Sequence, residues 1–236
     1  MKVLAIIPAR GGSKGIPMKN IRKLAGIPLI EHTISVAKKS KIIDKILVST
    51  DSNKIAYLAK SAGAEVPFLR PKKLSDDNTS ILTVIKHTLR FLAVNELYEP
   101  EIILLLQPTS PLRTSRMIDK SVEILKKSNA TCVIGVSRIK SHPYNAFWYK
   151  NKYLRPFKSD FQKYYRRQQY PVLYYPTGSI YTLWNKTLKR YNSIYGPRIK
   201  PLIIDEEFNI DIDSKFDLFL AEMQILHWKN HNKKFN

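Results

Sequence analysis

Four short apolar runs, rich in β-branched residues, recur along the chain: VLAII at 3–7, DKILVS at 44–49, EIILLL at 101–106 and ATCVIGV at 130–136. A run that is apolar throughout, rather than at alternate positions, is a strand buried on both faces. Between these runs the apolar spacing changes to a helical one. Leu29, Ile30, Ile34 and Ala37 mark a helix over 27–39, and a second spans 53–62 and is closed by Gly63. A polar stretch at 75–80 caps a long amphipathic helix reaching 95, and Thr114 or Ser115 caps another reaching 127. A short strand is expected at 66–69, a long one at 174–184, and a closing helix over 214–228. Strands that alternate with helices in this way build an α/β, Rossmann-like, doubly wound and mostly parallel sheet with right-handed crossovers. Such sheets bind ligands at the carboxyl ends of their strands.

Several polar motifs fall at that edge. The first run leads into PARGGSKGIPMKN, where three glycines accompany Arg10, Lys14 and Lys19, with Arg22 just beyond. Glycines let backbone N–H groups approach an anion, and fixed cations add a site for a polyphosphate. An ordinary tight turn with solvated lysines is the competing reading. GGSKG matches neither the P-loop nor G-x-G-x-x-G. Thr50-Asp51-Ser52, Arg70 and QPTSPLR at 107–113 complete the rim. Near the carboxyl end, Asn209-Ile210-Asp211-Ile212-Asp213 alternates as a strand does, which would place Asp211 and Asp213 on one face. Two carboxylates so placed suit a hard cation; a strand-end aspartate followed by Asp213 as a helix cap is the alternative.

Taken together, PARGGSKGIPMKN, FLRP at 68–71, LLQPTSPLR and IDID resemble the acylneuraminate cytidylyltransferases, the CMP-nonulosonate synthetases, from residue 3 to about residue 222. That resemblance implies a nucleotidyltransferase that joins CTP to an acidic nine-carbon sugar, with Mg²⁺ as cofactor. It assigns Arg10, Ser13 and Lys14 to the triphosphate and Lys19 to a supporting phosphate contact. Asn20 falls on the ribose or base side, and Arg70 with Ser80 on the cytosine edge, although Ser80 reads equally well as a helix cap. Lys14, Arg10 and Asp211 would carry catalysis, with Asp211 and Asp213 holding the metal. Gln107 and the Arg166-Arg167-Gln168 segment would face the sugar, one arginine clamping its carboxylate. PTGSIY at 176–181 departs from the family's P-N-G-A-I-Y, so the resemblance leaves the particular sugar open among sialic, legionaminic and pseudaminic types. No general base is evident.

The chain length of 236 residues accommodates one domain, expected over 1–228. Residues 140–175, dense in aromatic and basic side chains, read as an inserted β-rich lobe and, by the resemblance, a homodimer surface. Residues 229–236 read as a polar tail. Forty Lys and Arg against nineteen Asp and Glu give a net charge of +21, which raises nucleic acid as a partner. The charge is scattered, without a basic helix or arm, so a dedicated nucleic-acid protein is only a rival reading, as is an enzyme for the eight-carbon acid KDO. No apolar run is long enough to span a bilayer, and a lone cysteine, Cys132, suits a reducing cytoplasm.

Overall fold

In the first strand successive side chains alternate between two buried clusters: Val3, Ala5 and Ile7 enter one, and Leu4 and Ile6 the other. The neighbouring strand divides the same way, with Ile102 and Leu104 on one side and Ile103 and Leu105 on the other. Both faces therefore need a helical layer, and the chain supplies them in sequence. The computed structural model describes residues 1–13, 15–164 and 166–230, except the side chains of Arg167, Lys229 and Asn230. Strand β1 (Val3–Pro8) leads through a small ribbon, β2 (Lys23–Leu24) with β3 (Ile27–Pro28), into α1 (Leu29–Lys38). Then come β4 (Lys45–Ser49), α2 (Asn53–Ser61), α3 (Ile81–Asn95), β5 (Ile102–Leu105), α4 (Ser115–Lys126) and β6 (Cys132–Arg138). A hairpin of β7 (Phe147–Lys150) and β8 (Tyr153–Pro156) precedes the long β9 (Tyr174–Trp184). The chain ends with α5 (Asn185–Tyr191), β10 (Ile199–Ile203) and α6 (Lys215–Asn230).

The main sheet runs β10-β6-β9-β5-β1-β4. All of its pairings are parallel except those of β9, which lies antiparallel between β5 and β6. Buried residues of α1, α2, α4 and α6 meet one face, and those of α3 and α5 the other. The strand order reverses between β1 and β5, and the crevice at their carboxyl ends is where a doubly wound sheet receives its ligand.

Several expectations are corrected. Residues 66–69 form no strand; isolated bridges flank the segment, Leu47 with Glu65 before it and Thr50 with Leu69 at its end. Pro67 has no N–H to give to a ladder, and β4 is the edge of the sheet. Asn209 to Asp213 is a loop, not a strand. The cap of α6 is Ser214 rather than Asp213: Ser214 Oγ accepts from the Asp217 N–H at 3.2 Å, while Asp217 Oδ2 accepts from the Ser214 N–H at 2.7 Å. Among its described residues, the lobe at 140–175 has the β7–β8 hairpin, short 3-10 turns and the start of β9, less β than expected. Helix α6 continues through 229–230, which the sequence reading assigned to the tail; residues 231–236 lie outside the described chain.

Candidate active site

Loops from the carboxyl ends of β1, β4 and β5 meet at one rim, and residues 209–213 pack across them. The glycine loop is tied to the segment after β4 by the Gly11 N–H, which donates to Asp51 Oδ1 at 2.8 Å. Asn20 is buried and closes the loop on itself, its Nδ2 donating to the Arg10 carbonyl at 2.9 Å. From the far end of the chain, the Ile212 N–H donates to the Thr109 carbonyl at 2.8 Å. Lys19 Nζ donates to the Ile212 carbonyl at 2.6 Å and to Asp213 Oδ1 at 3.0 Å. These contacts enclose a cleft of about 290 Å³ into which Arg10, Ser13, Lys19, Asn20, Gln107 and Asp213 face.

Arg10 forms an ion pair with Asp77 at 2.6 Å. Arg70 is buried behind the rim, its Nε donating to Ser75 Oγ at 3.0 Å. Burial pushes the Arg70 guanidinium below its ordinary range; the Asp51 carboxylate partly offsets this, and the Arg10 charge adds to it. Two guanidiniums are thus held near one another by two aspartates. A fully buried Arg113 braces the same rim, donating to Thr33 Oγ1 at 3.1 Å and to the Gln107 carbonyl. Burial lowers its pKa to about 9, a shift that Asp211 opposes.

Asp211 meets solvent as a residue, yet its carboxyl lies among packed groups. Gly178, with φ of +73°, passes so close that a Cβ there would sit 3.5 Å from Asp211 Oδ2. Desolvation raises the Asp211 pKa above the usual carboxylate range; the Thr109 hydroxyl opposes that, the Asp213 charge reinforces it, and Lys19 and Arg113 counter it. A carboxylate held at such cost beside a second one is a fitting receptor for a cation. No group of three or more His, Cys, Asp or Glu residues with metal-ligand placement occurs among the described residues. Two carboxylates alone suit a small hard cation that keeps water and takes phosphate oxygens as its other ligands.

The structure thus brings Arg10, Ser13, Lys19, Asn20, Gln107, Asp211 and Asp213 to one rim, with Arg70 immediately behind. Lys14 lies outside the described residues. Ser80 caps α3, its hydroxyl accepting from the Thr83 N–H at 3.2 Å. Ser80→Ala should accordingly cost about 1 kcal/mol of stability and leave nucleotide KM nearly unchanged, which thermal unfolding with steady-state kinetics would check. Arg166 and Gln168 are exposed on the lobe and do not line the cleft, and the Arg167 side chain lies outside the described residues. Sequence reasoning overlooked Asp51, Asp77 and Thr109 as individual participants. Thr50-Asp51-Ser52 and QPTSPLR marked the rim, but only the folded chain shows which side chain in each is bonded to what.

A mostly parallel sheet whose switch-point rim gathers a glycine loop, fixed cations and two neighbouring carboxylates is the architecture of a nucleotide-dependent transferase. Two solved structures share the fold. One is a CMP:2-keto-3-deoxy-manno-octonic acid synthetase complexed with CTP, with TM-score 0.69 and 16% identity over 98% of this chain and 100% of that one. The other is a 4-diphosphocytidyl-2C-methyl-D-erythritol synthase from Anaerococcus prevotii, with TM-score 0.65 and 15% identity over 95% of this chain and 96% of that one. The chain belongs to the cytidylyltransferase family, whose model matches residues 4–233. It is a nucleotidyltransferase. It is 38% identical to a CMP-N,N'-diacetyllegionaminic acid synthase of Legionella pneumophila, over 94% of this chain and 95% of that one. Identity is 32% with a pseudaminic acid cytidylyltransferase of Campylobacter jejuni, over the whole of both chains. With an N-acylneuraminate cytidylyltransferase of Escherichia coli it is 35%, over 98% of this chain but only 54% of that longer protein.

For such an enzyme the role of Asp51 becomes testable. Asp51→Ala leaves the Gly11 N–H without its partner and removes a charge that offsets the burial of Arg70. Losing a hydrogen bond to a charged group costs about 1.5–3 kcal/mol, so KM for CTP should rise roughly 10- to 100-fold. Asp51→Asn, which keeps the acceptor, should recover part of this in initial-rate measurements.

Proposed function

We propose that this chain activates a nonulosonic acid with CTP, releasing pyrophosphate and the CMP-sugar. The observation that carries this reading is its full-length likeness to relatives named for legionaminic and pseudaminic acids. The anomeric hydroxyl of the sugar attacks the α-phosphorus of CTP; a new P–O bond forms, the bond to pyrophosphate breaks, and the hydroxyl proton passes to water. Arg10, Ser13 and Lys14 hold the triphosphate, with Lys19 in support, and Asn20 and Arg70 fix the nucleoside. Gln107 orients the sugar. Asp211 and Asp213 would hold Mg²⁺, which would supply positive charge to the phosphates. The buried Cys132 thiol, pushed up to about 12 by desolvation, is inert and suits a reducing cytoplasm, where we place the reaction.

Pyrophosphate release from CTP and Mg²⁺ tests the reading, with sialic, legionaminic and pseudaminic acids offered in turn and KDO as control. Turnover with one nonulosonate is the expected result. Release with KDO alone, or with none of the acids in a folded protein, would overturn it.

The active assembly in this proposal is a homodimer joined through the lobe. The β7–β8 hairpin presents Trp148, Tyr149, Tyr153 and Leu154 at 60–75% exposure, an apolar surface that a second copy would cover. Pairing there would also account for Arg166 and Gln168, which a single chain leaves away from its cleft. Trp148→Glu is expected to halve the mass seen by light scattering. A wild-type chain that already runs as a monomer would rule out this assembly.

A further inference from the structure

Two clefts flank α5 at the edge of the sheet opposite the catalytic rim, where β9 ends and β6 begins. One, of about 390 Å³, has Lys186, Arg190 and Arg198 in its wall and no acidic residue. The other, of about 320 Å³, has Lys86, Arg90 and Lys189 against a single carboxylate, Glu99, which pairs with Lys189 at 2.9 Å. Lys186 and Arg190 lie four residues apart, about 6 Å along the helix axis, and with Lys189 they form the exposed ridge between the clefts. Aromatic and apolar side chains share the linings with small polar ones: Trp184 and Tyr191 stand with Thr131 and Thr187 in the first cleft, and Tyr98 and Leu188 with Asn185 and Asn192 in the second. Lys186 Nζ stands 5.2 Å from the centre of the Trp184 ring and the Arg190 guanidinium 5.4 Å from that of Tyr191, while Leu89 and Leu188 line the second cleft.

We propose that the surface on both sides of α5 binds single-stranded nucleic acid, with phosphates on the cationic ridge and bases entering the clefts. Six cations against one carboxylate require a polyanion rather than a neutral ligand. Concave walls do not fit a flat bilayer, and a carboxylated glycan offers only puckered C–H faces to Tyr191 and the leucines, with no flat π-surface. A nucleobase has such a face, and cations interleaved with aromatic rings are how single strands are held without sequence preference. None of these residues takes part in the catalytic rim, so binding here is independent of CTP. It also gives part of the net charge of +21 a physical use that nucleotide transfer does not.

Fluorescence anisotropy of a short labelled oligouridylate tests the proposal on the full chain. Affinity should fall with salt at a log–log slope of about −0.7 per phosphate contacted, roughly −4 if all six cations engage. Lys186→Glu combined with Arg190→Glu should weaken binding about tenfold or more and flatten that slope. CTP-dependent pyrophosphate release should persist, showing that the variant is folded. Lys54→Glu with Lys60→Glu, the same charge change on exposed positions of α2, should leave affinity nearly unchanged. Equal loss in both variants would mean diffuse charge and no site. Absence of binding, or tighter binding of polygalacturonate or of anionic phospholipid vesicles than of the oligonucleotide, would equally overturn it.

Discussion

Asp211→Asn should abolish pyrophosphate release from CTP while raising the temperature at which the metal-free protein unfolds. The two effects share one cause. The folded state holds the Asp211 carboxyl above its ordinary pKa, chiefly because burial disfavours the charged form and the neighbouring Asp213 repels it. When an acid's pKa is raised by folding, the native state binds the proton more tightly than the unfolded chain does. The stabilisation from that proton is complete at low pH and is lost as pH rises through the folded pKa. At neutral pH the ionised carboxylate therefore costs stability, and an uncharged amide of the same shape removes that cost. In the proposed reaction catalysis needs the charge, because Asp211 and Asp213 are the carboxylates that would hold a divalent cation. Loss of such electrostatic stabilisation typically lowers kcat by about 10²–10³ or more. An Asn variant that turns over at near-normal rates, or that unfolds at a lower temperature than wild type without metal, would contradict this account.

Gly15→Ala is expected to lower kcat by about two orders of magnitude, although the substitution adds one methyl group to a surface loop. A Cβ at Gly15 would lie 2.2 Å from the Asp213 carbonyl oxygen, a backbone atom that cannot swing aside. That carbonyl is fixed from both sides, because Lys19 holds Ile212 and Asp213 while the Ile212 N–H is bonded to Thr109. The glycine loop and the 209–213 segment must separate by roughly an ångström, and displacement on that scale at a site of in-line displacement can cost about 100-fold. Overpacking of this kind also costs about 1–3 kcal/mol in stability, so melting should fall modestly while both hydrophobic clusters stay intact. Gly12→Ala supplies the comparison, since a Cβ there meets nothing within 4 Å and should be tolerated. If both alanine variants behave alike in kcat, the close approach at Gly15 has no catalytic weight.

Most of the fold was legible because its signals are local. A run such as IILL can be buried on both faces only between helical layers, and a helical apolar stripe beside it names the layer. The limits of β9 and the start of α2 agree with the sequence reading because each is set by an abrupt change in residue type. The strand expected at 66–69 failed because its composition is strand-like while Pro67 and its place outside β4 deny it a ladder. The IDID segment failed differently. Its alternation is real, but Ile212 is anchored in the core by a single backbone bond to Thr109, with no neighbouring strand to extend the pairing.

By itself the sequence determined most of the elements that form and which motifs stand at the ends of strands, since propensity, periodicity and turn residues act over a few positions. Only the tertiary structure decided which distant side chains share a charge or a contact. Lys19 meets Asp213 across 194 positions, Arg10 pairs with Asp77, and scattered lysines and arginines converge on both sides of α5. Those partnerships depend on how helices and strands pack, because an electrostatic interaction is set by separation in space and by the dielectric around it, neither of which is written in the spacing along the chain.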